Sequence, residues 1–239
     1  MGEGEAYLKV LDVGYFEVQE AFKGLADENV WKRPTAEILS VGELAGHIAY
    51  WEAVRLAGEG LVSVAAAGGE LLPDLAKCRV SGPFLDHRFM YYPITLAHPP
   101  EEQHLAMTAE QVRGELVRVH EEAVAHFRAL NPDLESEPPG KPSDQTYGNS
   151  LRYLAIHVSY HAGQMYTVRH LLGEETPDNW GTGPELAWGF PNAMGVQRLL
   201  SGQTPEMLPT DVTQMQGKPP VRSKYQPISF CASLRNISD

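Results

Sequence analysis

Hydrophobic side chains recur every three or four positions in four segments of the chain. These segments cover residues 5–26, 41–57, 109–130 and 150–172. In the first segment, for example, the apolar positions are Leu8, Leu11, Tyr15, Val18, Phe22 and Leu25. Because this spacing places side chains on one face of a helix, the pattern predicts four amphipathic α-helices.

Short polar motifs mark where these helices begin and end. Ser40 and Glu43 at the second helix, and Thr108 and Gln111 at the third, have the spacing of a capping box. In that motif the two side chains bond to backbone N–H groups that the first turn leaves without partners. Gly173 follows the fourth helix, where a glycine allows the chain to leave the helix.

The four helices predict an all-α fold, a four-helix bundle over residues 1–173. A long loop, residues 58–107, separates the second helix from the third and includes a β-like stretch at 89–96. A connection of this length usually has structure of its own or carries function.

The remaining residues, 174–239, form an irregular extension rich in proline and glycine, with one short helix predicted at about 193–201. The extension contains Trp180, Trp188 and Phe190. Because large aromatic side chains gain from burial, we expect the extension to pack on the mouth of the bundle or on a partner subunit.

The overall composition is typical of a globular protein. Hydrophobic residues make up 43% of the 239 positions, and 31 Asp and Glu outnumber 19 Lys and Arg. The resulting net charge of −12 argues against binding to nucleic acid or to an anionic membrane surface, because both attract basic proteins.

The cysteine content and the N-terminus bear on the compartment. Two distant cysteines, Cys78 and Cys231, exclude C-x-x-C zinc and redox motifs. The acidic N-terminus does not resemble a secretory signal, and no apolar run is long enough to span a membrane. We therefore expect a cytoplasmic protein with reduced cysteines.

Three histidines occupy helix positions that suggest a metal site. His157 and His161 are four residues apart in the fourth helix, so both imidazoles project from one face. His47 lies on the apolar stripe of the second helix. Since the stripes of a bundle face a common axis, the three imidazoles can hold a divalent metal and leave one position open.

A structural interpretation competes with the metal site. A single histidine on an apolar stripe is usually a core residue with one hydrogen bond, and an H-x-x-x-H pair alone is weak evidence for metal. Three such residues strengthen the metal interpretation, because burying three unpaired imidazoles is unfavourable. Spacing does not bring the other histidines to the site: His87, His98, His104, His120, His126 and His170.

Several common catalytic motifs are absent from the sequence. The segment between His157 and His161 lacks the glutamate that serves as general base in H-E-x-x-H metalloproteases. There is no G-x-S-x-G nucleophile elbow, no G-x-G-x-x-G and no phosphate-binding loop. Serine-hydrolase and nucleotide-binding functions are therefore not indicated.

Two stretches carry a family resemblance. One reads WKRP at 31–34 and SVGELAGHIAYWE at 40–52, and the other reads HVSYHAGQ at 157–164 and then LLG at 171–173. With these stretches the chain resembles the DinB-like metal-binding superfamily, which includes thiol-dependent transferases and mycothiol-dependent maleylpyruvate isomerases. One departure is Ala162, where such proteins often have arginine.

The resemblance, which covers about residues 5–173, implies a four-helix bundle, a divalent metal ion and frequent homodimers. The implied metal is zinc or nickel, and carried over by position its ligands are His47, His157 and His161. A low-molecular-weight thiol is an implied second cofactor. The long loop and the extension lie outside the resemblance, so it does not identify the substrate.

A three-histidine metal site with an open position lowers the pKa of a thiol or water placed there. We therefore hypothesise a metal-dependent enzyme in which a thiol or water attacks a small electrophilic substrate, as in a transferase, an isomerase or a hydrolase. The alternative is a non-catalytic bundle of the stress-response type, which binds metal and a ligand or a partner without turnover.

Further polar residues are candidates for supporting roles. The capping box accounts for Glu43, whereas Gln164 either orients a histidine or lies on the helix surface. Glu52, five residues after the second-helix histidine, is expected to face solvent. Asp86 and His87 reach the site only if the long loop folds over it.

Overall fold

The computed structural model describes residues 2–64, 68–91, 99–141 and 145–174. Within these ranges the chain has six α-helices and one pair of strands, which confirms the predicted all-α fold. The helices are α1 (Glu3–Phe22), α2 (Asp27–Val30), α3 (Val41–Leu56), α4 (Glu102–Leu105), α5 (Ala109–Leu130) and α6 (Tyr147–Leu171). The strands are β1 (Leu61–Val64) and β2 (Glu70–Pro73).

The four long helices α1, α3, α5 and α6 form the predicted bundle. α1 packs on α6, and α3 packs on both α5 and α6. Their apolar stripes meet in one core, whose fully buried side chains include Leu11, Ile48, Leu116, Leu151 and Met165. This core fixes α3 beside α6, the two helices that carry the three histidines.

The predicted helix boundaries are confirmed at several ends. Ser40 and Glu43 form a capping box at the start of α3, and Thr108 and Gln111 form another at the start of α5. Gly173 follows α6 with a φ of 78°, a conformation that glycine adopts without strain. The start of α6 lies three residues before its predicted position, at Tyr147.

The long loop between α3 and α5 contains a hairpin that the sequence pattern does not reveal. β1 and β2 pair antiparallel with Leu61 opposite Pro73, and the turn between them includes Gly68 and Gly69, with φ values of 69° and 88°. Strands of four residues are too short for a clear alternation of apolar and polar positions.

The prediction of a β-like stretch at 89–96 is wrong for residues 89–91, the part of it that the structure describes. The chain forms a 3-10 helix at His87–Met90, which begins where the Asp86 side chain accepts a hydrogen bond from the backbone. Tyr91 then adopts a left-handed conformation with a φ of 53°. This conformation belongs neither to a β-strand nor to a right-handed helix. Residues 92–98 lie outside the described ranges.

Glu52 is fully buried, contrary to the prediction that it faces solvent. It does lie on the opposite face of α3 from His47, but α1 and α5 cover that face. Its carboxylate accepts hydrogen bonds from the Tyr15 hydroxyl and from Nδ1 of His120, the latter at 2.7 Å. Asp12 lies 3.5 Å from the other ring nitrogen of His120. These partners offset the loss of hydration of the carboxylate.

The free energy of unfolding is expected to fall as the pH rises from about 6.5 to 9. Burial alone lowers the pKa of His120, but the carboxylates of Glu52 and Asp12 outweigh it and raise the pKa to about 9. Because this folded-state pKa exceeds the unfolded value of about 6.5, the stabilisation is complete below pH 6.5 and is lost through pH 9, on the order of 3 kcal/mol.

Urea unfolding at pH 6 and pH 9 measures this change. The matched variant His120→Gln should show a much smaller difference between the two pH values, because it has no imidazolium to titrate. A difference of the same size in the variant would contradict the assignment to His120.

Only the first residue of the predicted extension lies within the described ranges. The carboxylate of Glu174 accepts hydrogen bonds from Asn29 at 2.7 Å and from Arg169 at 3.0 Å. The helix at 193–201 and the packing of the extension fall outside the described residues, so the division at residue 173 stays a prediction. No helix in the described ranges is both long and apolar enough to cross a membrane.

Candidate metal centre

His47 on α3 and His157 and His161 on α6 form one cluster. Nε2 of His157 lies 3.1 Å from Nε2 of His47 and 3.0 Å from Nε2 of His161. The ligand atoms of the three residues all lie within 4.8 Å of one another. Both α6 histidines are buried and His47 is half-buried, so the imidazoles meet where the α3–α6 interface approaches the surface.

Hydrogen bonds on the outer nitrogen orient two of the rings. Nδ1 of His47 donates to the carbonyl oxygen of Phe89 at 2.7 Å, and Nδ1 of His161 donates to Oε1 of Gln164 at 2.6 Å. Because a carbonyl oxygen can only accept, each neutral ring carries its proton on Nδ1 and turns its Nε2 lone pair toward the cluster. Of the two roles open to Gln164, the structure shows the orienting one.

The third ring, His157, lacks such a partner. Its Nδ1 is buried without a hydrogen-bond partner, and its ring stacks on Tyr153 with 4.9 Å between centroids. If His157 carries its proton on Nδ1, the Nε2 lone pairs of all three rings face one another. With the proton on Nε2, the ring donates to one neighbour while Nδ1 stays unpaired. In either tautomer the cluster by itself is poorly satisfied.

All three imidazoles are neutral at pH 7. Burial, together with the neighbouring His161, lowers the pKa of His47 to about 3. Burial, the two other histidines and Arg55 lower the pKa of His157 to about 2. Burial also lowers the pKa of His161. The Nε2 lone pairs are therefore available to a metal ion at neutral pH.

The cluster fits a divalent metal. Three imidazole nitrogens with one position left open are a common donor set for zinc, and imidazole suits nickel as well. At bond lengths of about 2.0–2.1 Å, the nitrogens of a tetrahedral site are about 3.3 Å apart, close to the two distances above. A cation at the centre would remove the repulsion between the lone pairs.

Aromatic side chains form the wall of the site. The ring centroid of Trp51 lies 6.4 Å from that of His47, and the ring centroid of Tyr91 lies 5.6 Å from it. Tyr153 covers one face of His157. Trp51, Tyr91 and Tyr153 are each half-buried, so part of every ring remains accessible.

Glu43 is buried and committed to partners other than the histidines. Besides its capping bonds to Ser40, its carboxylate accepts from Nε of Arg33 at 2.8 Å and from the Tyr91 hydroxyl at 3.3 Å. Burial raises the pKa of Glu43, but the bonds from Arg33 and Ser40 outweigh it and keep the carboxyl ionised. The sequence does not single out Arg33 or Tyr91 as residues near the site, because both lie outside α3 and no helical interval relates them to Glu43.

Asp86 and His87 lie outside the three-histidine cluster. Asp86 caps the 3-10 helix and pairs with Arg88 at 2.8 Å, and Nδ1 of His87 is 3.0 Å from the Tyr50 hydroxyl. Together they fix the 3-10 helix on α3, where it presents the Phe89 carbonyl to the cluster. Sequence reasoning missed this contribution, since a backbone carbonyl has no residue signature.

A methyl group at Gly46 is expected to lower the metal affinity by about ten- to hundredfold, which is the usual effect of losing a hydrogen bond that orients a metal ligand. A Cβ there would lie 2.4 Å from the Phe89 ring and would push the 3-10 helix away from α3. The Phe89 carbonyl would then lose its bond to His47. Competition with a zinc chelator measures the affinity of Gly46→Ala.

The matched control is Gly163→Ala on α6, because a Cβ at Gly163 meets nothing within 4 Å. This variant should bind zinc as the unmodified protein does. Equal zinc affinity in the two variants would contradict the supporting role of the Phe89 carbonyl.

Comparison with known proteins places the chain in a family. The family model described as the DinB superfamily matches residues 11–165, a span that includes all three histidines. Comparisons with curated proteins and with solved structures gave no match. Because the matched span is more than half of the sequence, the chain belongs to the DinB superfamily.

Proposed function

We propose that this protein is a metal-dependent enzyme that activates a thiol or water for attack on a small electrophilic substrate. The observation that carries the proposal is the convergence of three imidazole Nε2 atoms, two of them with lone pairs fixed inward. Metal binding is frequent in the DinB superfamily, and zinc and nickel are the ions we propose. Such an ion supplies a Lewis acid that lowers the pKa of a thiol or water at its open position.

The chain's own residues would have distinct tasks. His47, His157 and His161 would hold the ion. The Phe89 carbonyl and Gln164 keep two of the rings in their tautomer and orientation, which preserves the geometry of the donors. The aromatic wall offers apolar surface to a small substrate and limits the access of water.

The surroundings of the cluster favour a thiol over water as the nucleophile. Hydrolysis benefits from a general base, but both glutamates of α3 are committed elsewhere, Glu43 to Arg33 and Glu52 to His120. A thiol needs less assistance, because its pKa of about 8.5 lies far below the value of about 15.7 for water. We therefore propose a low-molecular-weight thiol as the second cofactor.

A second candidate function is the binding of metal and a ligand without turnover. The commitment of Glu43 and Glu52 also favours this candidate, since neither carboxylate is placed to move a proton at the cluster. The two candidates agree on the metal and differ only in whether a reaction follows.

Turnover of a model electrophile distinguishes them. The full chain, purified without a histidine tag, is incubated with 1-chloro-2,4-dinitrobenzene alone, with cysteine and with glutathione. We expect consumption above the uncatalysed rate that depends on thiol, stops when a chelator strips the metal, and returns with zinc or nickel. Bound metal without turnover in any mixture would support the non-catalytic candidate.

We further propose that the protein acts on a small molecule as a homodimer in the cytoplasm and does not bind nucleic acid. The net charge of −12 supports the last point. Light scattering after gel filtration tests the dimer, because it separates a mass near twice 26.4 kDa from that of a monomer.

A further inference from the structure

A cavity of about 470 Å³ lies between α1 and α5. This volume falls within the range of small-molecule sites, about 300–1,000 Å³. Among the lining residues, α1 contributes Asp12 and Tyr15, and α5 contributes His120, Glu121 and Arg128. The three-histidine cluster is formed by α3 and α6 and shares no residue with this cavity. The cavity is therefore separate from the candidate metal centre.

His120 presents a hydrogen-bond donor to this cavity. Because the carboxylates of Glu52 and Asp12 outweigh burial and raise the pKa of His120 to about 9, both ring nitrogens carry a proton at pH 7. Nδ1 donates to the fully buried carboxylate of Glu52 at 2.7 Å, and the ring of Tyr15 stacks on the imidazole with 3.7 Å between centroids. These contacts fix the ring, so that the N–H at Nε2 points away from Glu52.

An acceptor lies beside this donor without saturating it. A carboxylate oxygen of Asp12 is 3.5 Å from Nε2 of His120, which is longer than the usual hydrogen-bond distance of about 2.7–3.2 Å. The Asp12 side chain is 45% exposed, so its carboxylate can accept from a ligand as well. The pair of residues therefore offers one donor and one acceptor side by side.

A cyclic amide has an edge that matches this pair. Its carbonyl oxygen can accept from Nε2 of His120 while its N–H donates to Asp12. An open-chain secondary amide does not have such an edge, because its trans bond directs the C=O and the N–H to opposite sides. In a small lactam ring the two groups are cis and lie on the same side.

The charges around the cavity favour a neutral ligand. Two of the lining side chains are cationic, His120 and Arg128, and two are anionic, Asp12 and Glu121. An anion would be repelled by the two carboxylates, and a cation by the imidazolium and the guanidinium. Buried Val124 also lines the cavity and adds apolar surface for the rest of the ligand.

We propose that the cavity between α1 and α5 binds a small neutral lactam, whose carbonyl accepts from Nε2 of His120 and whose N–H donates to Asp12. The inference does not rest on the proposed function, because none of the three histidines lines this cavity.

Calorimetric titration of the full chain with three probes tests the inference. 2-Quinolinone has the lactam edge, 1-methyl-2-quinolinone lacks the N–H, and acetanilide carries its C=O and N–H on opposite sides. We expect 2-quinolinone to bind at least about tenfold more tightly than either of the other two, since a hydrogen bond to a charged group contributes about that much. Its affinity should be the same with zinc bound and after a chelator has removed the metal.

Variants assign the preference to Asp12. Asp12→Ala removes the acceptor and should abolish the preference for 2-quinolinone over its methylated form. Asp12→Asn should retain part of the preference, because the amide oxygen can still accept. The matched control Glu121→Ala removes the other carboxylate of the cavity and should keep the full preference. Circular dichroism verifies that each variant is folded.

Equal affinity for the three probes, or no binding by any of them, would overturn the inference. An unchanged preference in folded Asp12→Ala would overturn it as well, and so would a preference that is lost in Glu121→Ala instead. Binding of 2-quinolinone that disappears when the metal is removed would place the ligand at the histidine cluster, and the proposed function would be unaffected.

Discussion

Replacing His161 by alanine is expected to lower the affinity for zinc or nickel by at least about a hundredfold. Removing a group that only hydrogen-bonds to a metal ligand already lowers metal affinity by about ten- to hundredfold. The variant removes one of three ligand nitrogens that all lie within 4.8 Å of one another, and the remaining pair cannot complete a stable site. Elemental analysis after dialysis against a chelator measures the loss.

The matched control is His170→Ala, which removes an exposed histidine from the same helix. It should keep the metal content of the unmodified protein. Circular dichroism verifies that both variants are folded. Full metal content in folded His161→Ala would show that the metal is bound elsewhere.

Replacing Glu52 by glutamine is expected to lower the free energy of unfolding by about 3–5 kcal/mol, the usual effect of removing one partner of a buried ion pair. The amide keeps the volume of the side chain but leaves the His120 imidazolium without its buried counter-charge. The Tyr15 hydroxyl also loses its ionised acceptor. Urea unfolding at pH 6 measures the change.

Glu122→Gln is the control for this prediction. Glu122 lies on the surface of α5, 2.7 Å from Arg118, and exposed pairs of this kind contribute about 0–1 kcal/mol. Folded Glu52→Gln should still bind zinc normally, because Glu52 and His47 lie on opposite faces of α3. Equal losses of stability in the two glutamate variants would contradict the buried network.

The sequence allowed the bundle and the histidine cluster to be predicted because both follow from helical spacing. Apolar positions every three or four residues specify which face of each helix enters the core. His47 lies on such a face, and the interval of four between His157 and His161 places two imidazoles together on another. Convergence then needs only that α3 packs beside α6, as it does.

The supporting contacts could not be predicted in the same way. The interval between His47 and Glu52 predicts that the two side chains lie on opposite faces of α3. It does not predict that α1 and α5 cover the face that carries Glu52. The 3-10 helix that carries Phe89 depends on the path of a long loop, and its contribution is a backbone carbonyl. For Gln164, an interval of three residues allowed contact with His161 without requiring it.

X-ray absorption at the metal edge tests the central claim most directly. The measurement uses the full chain purified without a histidine tag and carrying about one zinc or nickel ion per chain. We expect three imidazole nitrogens at about 2.0–2.1 Å from the ion, and two in His161→Ala measured with the metal supplied in excess. A spectrum that requires only oxygen ligands, or that does not change in this variant, would contradict the account.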